Sequence, residues 1–365
     1  MKKTIVIVTN WLRRGGGAER VTVIMANVLL GLGYAVKLVV QEETENEMAS
    51  LVDDGVEIIY LQKHYSSIWS LILLSKFIMS HSGAVYIAAN HRIALVLVLI
   101  RRLFGMRFRL LARNISNLSV LMADKFFFNR ILKFGYRFVD LVIAQSLDMK
   151  KDLIENYHFK ENQVHVIYNP IQKTSLQQKS SVNSRTEWRF LYVGRIRPEK
   201  GFNFLLAAMD ILNRRGQNFF LTILGEGPLR DHFQEEVAKK SLTNRVKFEG
   251  FKENVSDYFN QNDLLLLTSL YEGFPNVLLQ ANAGGLPVVS FDTPFGPSEI
   301  IIPGVNGYLC KYLDVDDLVE KIEFTMHTDW SREKIAQTVD RFSLDNFVSA
   351  LVNLVESPPN SGGTE

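Results

Sequence analysis

The chain has 365 residues, 47% of them hydrophobic and 22% charged, with a formal net charge of +2 and a single cysteine, Cys310. At roughly 150 residues per domain this is about two domains. It is too apolar for a disordered chain and too poor in cysteine for a disulfide framework, which fits a reducing compartment.

The start, Met-Lys-Lys-Thr-Ile-Val-Ile-Val, is basic and apolar, but its apolar part is too short for a signal peptide and reads as a first strand. No apolar run approaches the ~18 residues of a membrane span. Short apolar strands are predicted at 4–9, 35–40, 56–60, 85–89, 109–112, 141–144 and 164–167, with helical patterns filling most gaps. Such alternation implies an α/β fold with a parallel sheet and helices on both faces. The first βα turn is Gly15-Gly16-Gly17-Ala18-Glu19-Arg20. Glycines there let backbone approach a ligand and free the helix N–H groups, although packing alone also explains such a turn. Glu19 reads as a first-turn helix charge. Two later strands end in Asn90-His91 and Arg113-Asn114, candidates for the ligand edge of that sheet. His91 has a capping or surface role as its alternative.

Residues 1–170 carry 21 Lys/Arg against 14 Asp/Glu, and residues 60–139 carry twelve cations and one acid, Asp124. The twelve are Lys63, Lys76, Arg92, Arg101, Arg102, Arg107, Arg109, Arg113, Lys125, Arg130, Lys133 and Arg137, interleaved with Trp69, Phe77, Phe104, Phe108 and Phe126-Phe127-Phe128. Cations mixed with aromatic and aliphatic residues at helical spacing suit an anionic membrane surface. Cations spread around the domain for solubility are the alternative.

Asn169-Pro170-Ile171 ends the first pattern, and the polar stretch within 171–187 reads as a linker. Strands resume at 189–194, 219–224, 246–249, 264–268, 287–290 and 307–309. Gly194-Arg195-Ile-Arg-Pro-Glu-Lys200-Gly201 follows the first of these; a glycine turn with two cations suits a diphosphate, and a solvated loop is the alternative. Gly225-Glu226-Gly227-Pro228 and Gly250-Phe251-Lys252-Glu253 follow the next two strands, with plain βα turns as the alternative.

After LLLLTS comes Glu272, a Gly-Phe-Pro turn in which Pro275 fits a first helical position, a short helix closed by Gly284-Gly285, the strand PVVSF, and a second turn, Phe295-Gly296-Pro297, that opens Pro-Ser-Glu299-Ile-Ile. One carboxylate and two sets of helix N–H groups thus fall on the edge where open α/β sheets bind ligands. Gln280 lies eight residues after Glu272; as helical rise that is ~12 Å. Asp314-x-Asp316 reads as helix capping. No His/Cys/acid cluster has metal spacing.

The stretch from Glu272 to Glu299 resembles the donor-binding signature of retaining glycosyltransferases of the GT-B fold, within family 4 (glycosyl transferases group 1). The family pattern is Glu, seven residues, Glu, then a small-residue helix end, a strand and a glycine turn ending in Glu-Ile-Ile. Here the second acid is Gln280, which departs from it. The resemblance implies two facing Rossmann-like domains, at 1–170 and 188–343, with a cleft between them. It also implies a helix at 344–356 crossing back to the first domain, before a tail, 357–365, of disordered composition. It implies that Arg195 and Lys200 hold the donor pyrophosphate, that Gly16 and Gly17 face the phosphates, and that Glu272 and Gln280 touch sugar and ribose. Gly194, Gly225, Phe251, Phe274, Pro275, Asn276, Val277, Gly296 and Glu299 complete the donor set. A family histidine near the donor sugar is expected where Arg113-Asn114 stands, and Asn90, His91, Arg113 and Asn114 are the acceptor-side candidates, Arg113 for an acceptor phosphate. The implied activity is metal-independent transfer of a hexose or N-acetylhexosamine from a UDP-sugar. The acceptor is a glycan or polyprenyl-diphosphate-linked sugar, reached by a cytoplasmic enzyme held peripherally on the inner membrane face. No cofactor and no nucleic-acid partner is expected. Two alternatives stay open: an epimerase or hydrolase on the same architecture, and a silent nucleotide- or glycan-binding subunit.

Overall fold

The computed structural model describes residues 3–43, 46–61, 67–171, 176 and 186–358. Most of the predicted linker and of the predicted tail lies outside the described residues, as does Lys63.

The chain divides into two compact units, residues 1–169 with 347–365, and residues 170–346. Unit one holds seven strands, β1 (Thr4–Thr9), β2 (Ala35–Val40), β3 (Glu57–Tyr60), β4 (Val85–Ala88), β5 (Arg109–Arg113), β6 (Leu141–Ala144) and β7 (Val164–Val166), in the spatial order β3-β2-β1-β4-β5-β6-β7. Unit two holds six, β8 (Trp188–Val193), β9 (Phe219–Leu224), β10 (Val246–Gly250), β11 (Leu264–Leu267), β12 (Val288–Phe291) and β13 (Gly307–Cys310), in the order β10-β9-β8-β11-β12-β13. Every pair in both sheets is parallel. All predicted strands form, with ends displaced by no more than one residue. Runs such as Ile5-Val6-Ile7-Val8 and Leu264-Leu265-Leu266-Leu267 are buried throughout, because helices cover both faces of a parallel sheet. Crossover connections bring each strand back in the same direction. All carboxyl ends of a sheet therefore share one edge, and strand order reverses between β1 and β4 in unit one and between β8 and β11 in unit two.

The last helix, Leu344–Glu356, contributes its residues from Phe347 onward to unit one. Arg109, at the start of β5, holds its end. Its guanidinium donates to the carbonyls of Leu354 (2.9 Å), Val355 (2.8 Å) and Ser357 (2.5 Å) and to Ser357 Oγ (2.6 Å). A cation on the orphan carbonyls of a helix C-terminus is favourable both as hydrogen bonding and against the helix dipole. Glu356 adds an ion pair with Lys3 and accepts from the Tyr34 hydroxyl, whose pKa burial and Glu356 push up to about 12. Among the described residues no helix is long and apolar enough to cross a membrane.

Loss of this latch is measurable. Arg109→Ala should destabilise the protein by about 2–3 kcal/mol, since charged donors leave buried carbonyls unpaired. Arg107→Ala two residues away should stay within about 0.5 kcal/mol. Equal effects in urea denaturation would remove the latch assignment.

Candidate functional site

In unit two the loops leaving β8 and β11 meet at the point where strand order reverses, the usual ligand position in open α/β sheets. The 194–201 loop is pinned from both sides. Gly194 N–H donates to Leu224 O and Ile196 N–H to Glu226 O, both at 2.9 Å. Gly225, at φ +147°, approaches so closely that a Cβ on it would stand 1.9 Å from Gly194 O. A 3-10 turn, Pro198–Lys200, ends on Gly201 at φ +60°, where a Cβ would fall 2.1 Å from Thr268 O. Thr268 Oγ1 donates to Lys200 O (3.1 Å), and Leu270 N–H donates to Glu199 O (2.8 Å). The two loops are therefore one bonded piece, and they set Lys200 Nζ 2.5 Å from Glu272 Oε1. Ser269 Oγ donates to the same carboxylate oxygen at 2.6 Å. The Lys200 and Glu272 side chains are 20% and 12% exposed, so the pair is held but reachable.

Arg195 is exposed, and among the described residues its side chain makes no hydrogen bond or ion pair. Lys200 and Glu272 neutralise each other, whereas Arg195 of the same loop has no ion-pair partner among the described residues. Beneath the loop, the buried Tyr192 hydroxyl has no partner among the described residues. Burial first, then Glu272 and Glu199, push its pKa well up, so it stays neutral. Thr268, Ser269 and Tyr192 escaped the sequence reading. Only the register of β8 and β11 reveals them.

The Glu272–Gln280 spacing needs correction. Pro275 caps the helix Asn276–Ala283 rather than entering it, so only four of the eight steps are helical, a rise of ~6 Å instead of ~12 Å. Phe274 is buried against Phe342, ring centroids 5.9 Å apart, and works as a wall. Pro275 packs on Gly296, where a Cβ would lie 2.6 Å from Pro275 Cδ. Asn276, Val277 and Gln280 are partly exposed. The second helix start is a single turn, Pro297–Ile300, and the carbonyl of its Glu299 accepts from Arg341. Phe251 follows β10 and is 47% exposed. Asp314 caps Val315–His327 by accepting from Asp317 N–H at 3.0 Å, as expected.

In unit one Gly16 caps the helix Gly17–Gly31. The Glu19 carboxylate folds onto Gly16 and accepts from Trp11 Nε1 at 2.9 Å, so it serves its own helix start. Asn90 caps His91–Leu103, accepting from Arg92 N–H (3.0 Å) and Ile93 N–H (3.1 Å), and donates to Asn10 (2.8 Å).

Arg113 departs from its expected acceptor role. It is fully buried and donates to Ala18 O (2.9 Å) and Asn169 Oδ1 (3.1 Å), while Gln145, oriented oxygen inward, accepts from its Nε and Nη2. Burial pushes its pKa down to about 10, still far above neutrality. Its fork is committed to joining β5, the first helix and Asn169, and no part faces a ligand. Asn114 and His91 are also buried, and among the described residues neither the amide group nor the imidazole nitrogens have partners. His91 is thus no surface histidine. Burial above all, then Arg92 and Lys125, push its pKa down to about 4. Groups of three or more His, Cys, Asp or Glu able to hold a metal ion are absent among the described residues.

A neutral buried His91 makes stability pH-dependent. Below its ordinary pKa near 6.5 the unfolded chain binds the proton that the folded one refuses, so stability is complete above about pH 6.5 and falls toward pH 4. Wild type should lose about 1–2 kcal/mol more than His91→Gln between pH 7 and pH 5 in urea denaturation. Parallel pH curves would refute the buried neutral ring.

Residues 15–174 match the family model Glycosyltransferase Family 4, and residues 172–341 match Glycosyl transferases group 1. An uncharacterized glycosyltransferase of Methanocaldococcus jannaschii is 30% identical over 48% of this chain, a match spanning 45% of that protein. The amylovoran biosynthesis glycosyltransferase AmsD of Erwinia amylovora is 25% identical over 93% of this chain and 95% of its own. The lipopolysaccharide 1,6-galactosyltransferase of Escherichia coli is 29% identical over 60% of this chain and 62% of its own. In three dimensions the chain is similar to Anabaena Alr3699/HepE in complex with UDP-glucose, with a TM-score of 0.79, 18% identity, and coverage of 98% of this chain and all of that one.

Proposed function

The chain belongs to the GT-B glycosyltransferases, and on that footing we propose that it moves a hexose or N-acetylhexosamine from a UDP-sugar, with retention, to a glycan or polyprenyl-diphosphate-linked sugar in surface polysaccharide assembly. One observation carries the donor half: Lys200 and Glu272 paired at 2.5 Å beside the uncompensated Arg195, where the unit-two strand order reverses. The relatives named for amylovoran and lipopolysaccharide synthesis support the process, and the UDP-glucose in the similar structure supports the donor class.

The site suits a diphosphate leaving group. Arg195 offers a planar fork, and Lys200 exchanges the Glu272 carboxylate for phosphate oxygens. Glu272, released from Lys200 but still held by Ser269, accepts from sugar hydroxyls. The bond from sugar C1 to the diphosphate breaks, the bond to the acceptor oxygen forms on the same face, and the acceptor proton passes to the departing diphosphate. The charge that develops on that diphosphate meets fixed donors, each worth on the order of 10²–10³ in rate. The two cations supply charge neutralisation, so the reaction is expected to proceed without a metal ion. Phe251 offers a ring face to the base, and Gln280 offers a neutral amide to the ribose. The single cysteine fits a reducing cytoplasmic setting.

UDP should raise the thermal midpoint of the wild type, and Arg195→Ala combined with Lys200→Ala should weaken UDP binding by 100-fold or more. Undiminished affinity by calorimetry would sink the donor assignment. For the acid, Glu272→Ala should lower kcat by about 10²-fold with fold stability changed by less than about 2 kcal/mol, while Gln280→Glu stays active. The opposite pattern would reverse the two roles.

A further inference from the structure

A cavity of about 590 Å³ opens in unit one on the sheet edge opposite the carboxyl ends, where the 104–108 turn enters β5 and residues 138–140 enter β6. Phe108 and Phe138 wall it. Arg101 is built into its frame, donating to Asp140 Oδ2 (2.7 Å) and to the carbonyls of Phe108 and Phe138. Asp140 is further bound by Leu110 N–H at 2.7 Å, so the one acid of the cavity is already neutralised. Arg102 lies over the Phe138 ring at 4.1 Å, and among the described residues neither Arg102 nor Arg107 has a hydrogen-bond or ion-pair partner. Two guanidinium groups without counter-charge thus line one aromatic-walled cavity.

The surface beside it is apolar. Leu103 and Phe104 are 65% and 55% exposed, and on the helix Phe126–Tyr136 Phe126, Phe127 and Phe134 are 75%, 78% and 63% exposed. Phe134 packs edge-on to Phe138, centroids 5.5 Å apart, which joins this face to the cavity wall. Arg137 stacks on Phe134 at 5.0 Å, and Arg130 lies 5.9 Å from Phe126. We propose that this surface docks on an anionic phospholipid membrane, the exposed rings entering the headgroup region while Arg102 and Arg107 clasp a lipid phosphate in the cavity. Charge complementarity selects this occupant: cations of one sign surround exposed rings, with Asp124 the only acid of residues 60–139. A soluble anion explains the two arginines but not the row of exposed rings.

The structure also sorts the cations and rings that the sequence groups together. Arg101, Arg109 and Arg113 are spent inside the fold, Phe108 is in the core, and Phe77 and Phe128 pack against it. The binding residues are instead Arg102, Arg107, Arg130 and Arg137, with Phe134 added.

Flotation with phosphatidylcholine vesicles, with and without phosphatidylglycerol, tests this. Wild type should float with the anionic vesicles alone and be released by high salt. Arg102→Gln with Arg107→Gln should weaken partition about 30-fold, at the usual contribution per interfacial cation. Phe126→Ser with Phe127→Ser should also release the protein. Thermal stabilisation by UDP should be unchanged in both variants, so failure here is distinguishable from failure of the donor site. Equal flotation on both vesicle types, or wild-type flotation of the arginine variant, would overturn the proposal. So would an Arg102- and Arg107-dependent thermal shift with inorganic phosphate in the absence of flotation, which would assign the cavity to a soluble anion.

Discussion

A parallel strand pair cannot be closed by a tight turn, so each strand must be followed by a crossover that returns the chain to the same starting edge. Both sheets here obey that constraint, and the chemistry depends on it. Every carboxyl end lies on one edge of its sheet, leaving Arg195, Gly225, Phe251 and Glu272 to be collected from four separate loops without any of them being near in sequence. The reversal of strand order then opens the β8 and β11 loops toward each other. The Gly201–Thr268 contact joins them so closely that a single methyl group would disrupt it.

That rigidity gives the ion pair its meaning. A half-buried lysine and glutamate on one continuous backbone unit need little further ordering, so the usual entropic cost of holding two long side chains is small. The pair keeps the acid positioned without a ligand. It also leaves Lys200 with an exchangeable partner, because a diphosphate offers it more negative charge than one carboxylate shared with Ser269. Arg195, with no competing partner among the described residues, is the group that an incoming anion meets without first displacing anything.

Much of this was legible in the sequence, for a physical reason. Strands buried on both faces must be continuous apolar runs, and the loops after them must supply glycine where backbones touch, so LLLLTS and Gly194…Gly201 announce themselves. Side-chain burial leaves no such mark. His91 and Arg113 stand at strand ends as a ligand contact would, yet each is turned inward, and only the packing of the first helix against β5 explains why Arg113 finds Ala18 O, Asn169 and Gln145 there. The Glu272–Gln280 spacing is not legible because a proline two residues after a glycine fits the first helical position equally well, whereas here it caps the helix and leaves the preceding residues outside it.

The charge count of the first unit shows how the same residue type divides between structure and surface. Arginine can satisfy a helix end, a buried carboxylate or three carbonyls at once, because its planar fork has five donors and remains charged when partly desolvated. Arg109, Arg101 and Arg113 are each used in that way. Once those are removed, the excess of cations in residues 60–139 is smaller than the sequence implies but more concentrated. Of what remains, Arg102, Arg107, Arg130 and Arg137 sit with exposed phenylalanines on two packed helices and at one cavity. A surface held for solubility alone would spread its cations and hide its rings. Here both are found together, and Arg102, Arg107, Arg130 and Arg137 each have an aromatic neighbour or a cavity wall beside them.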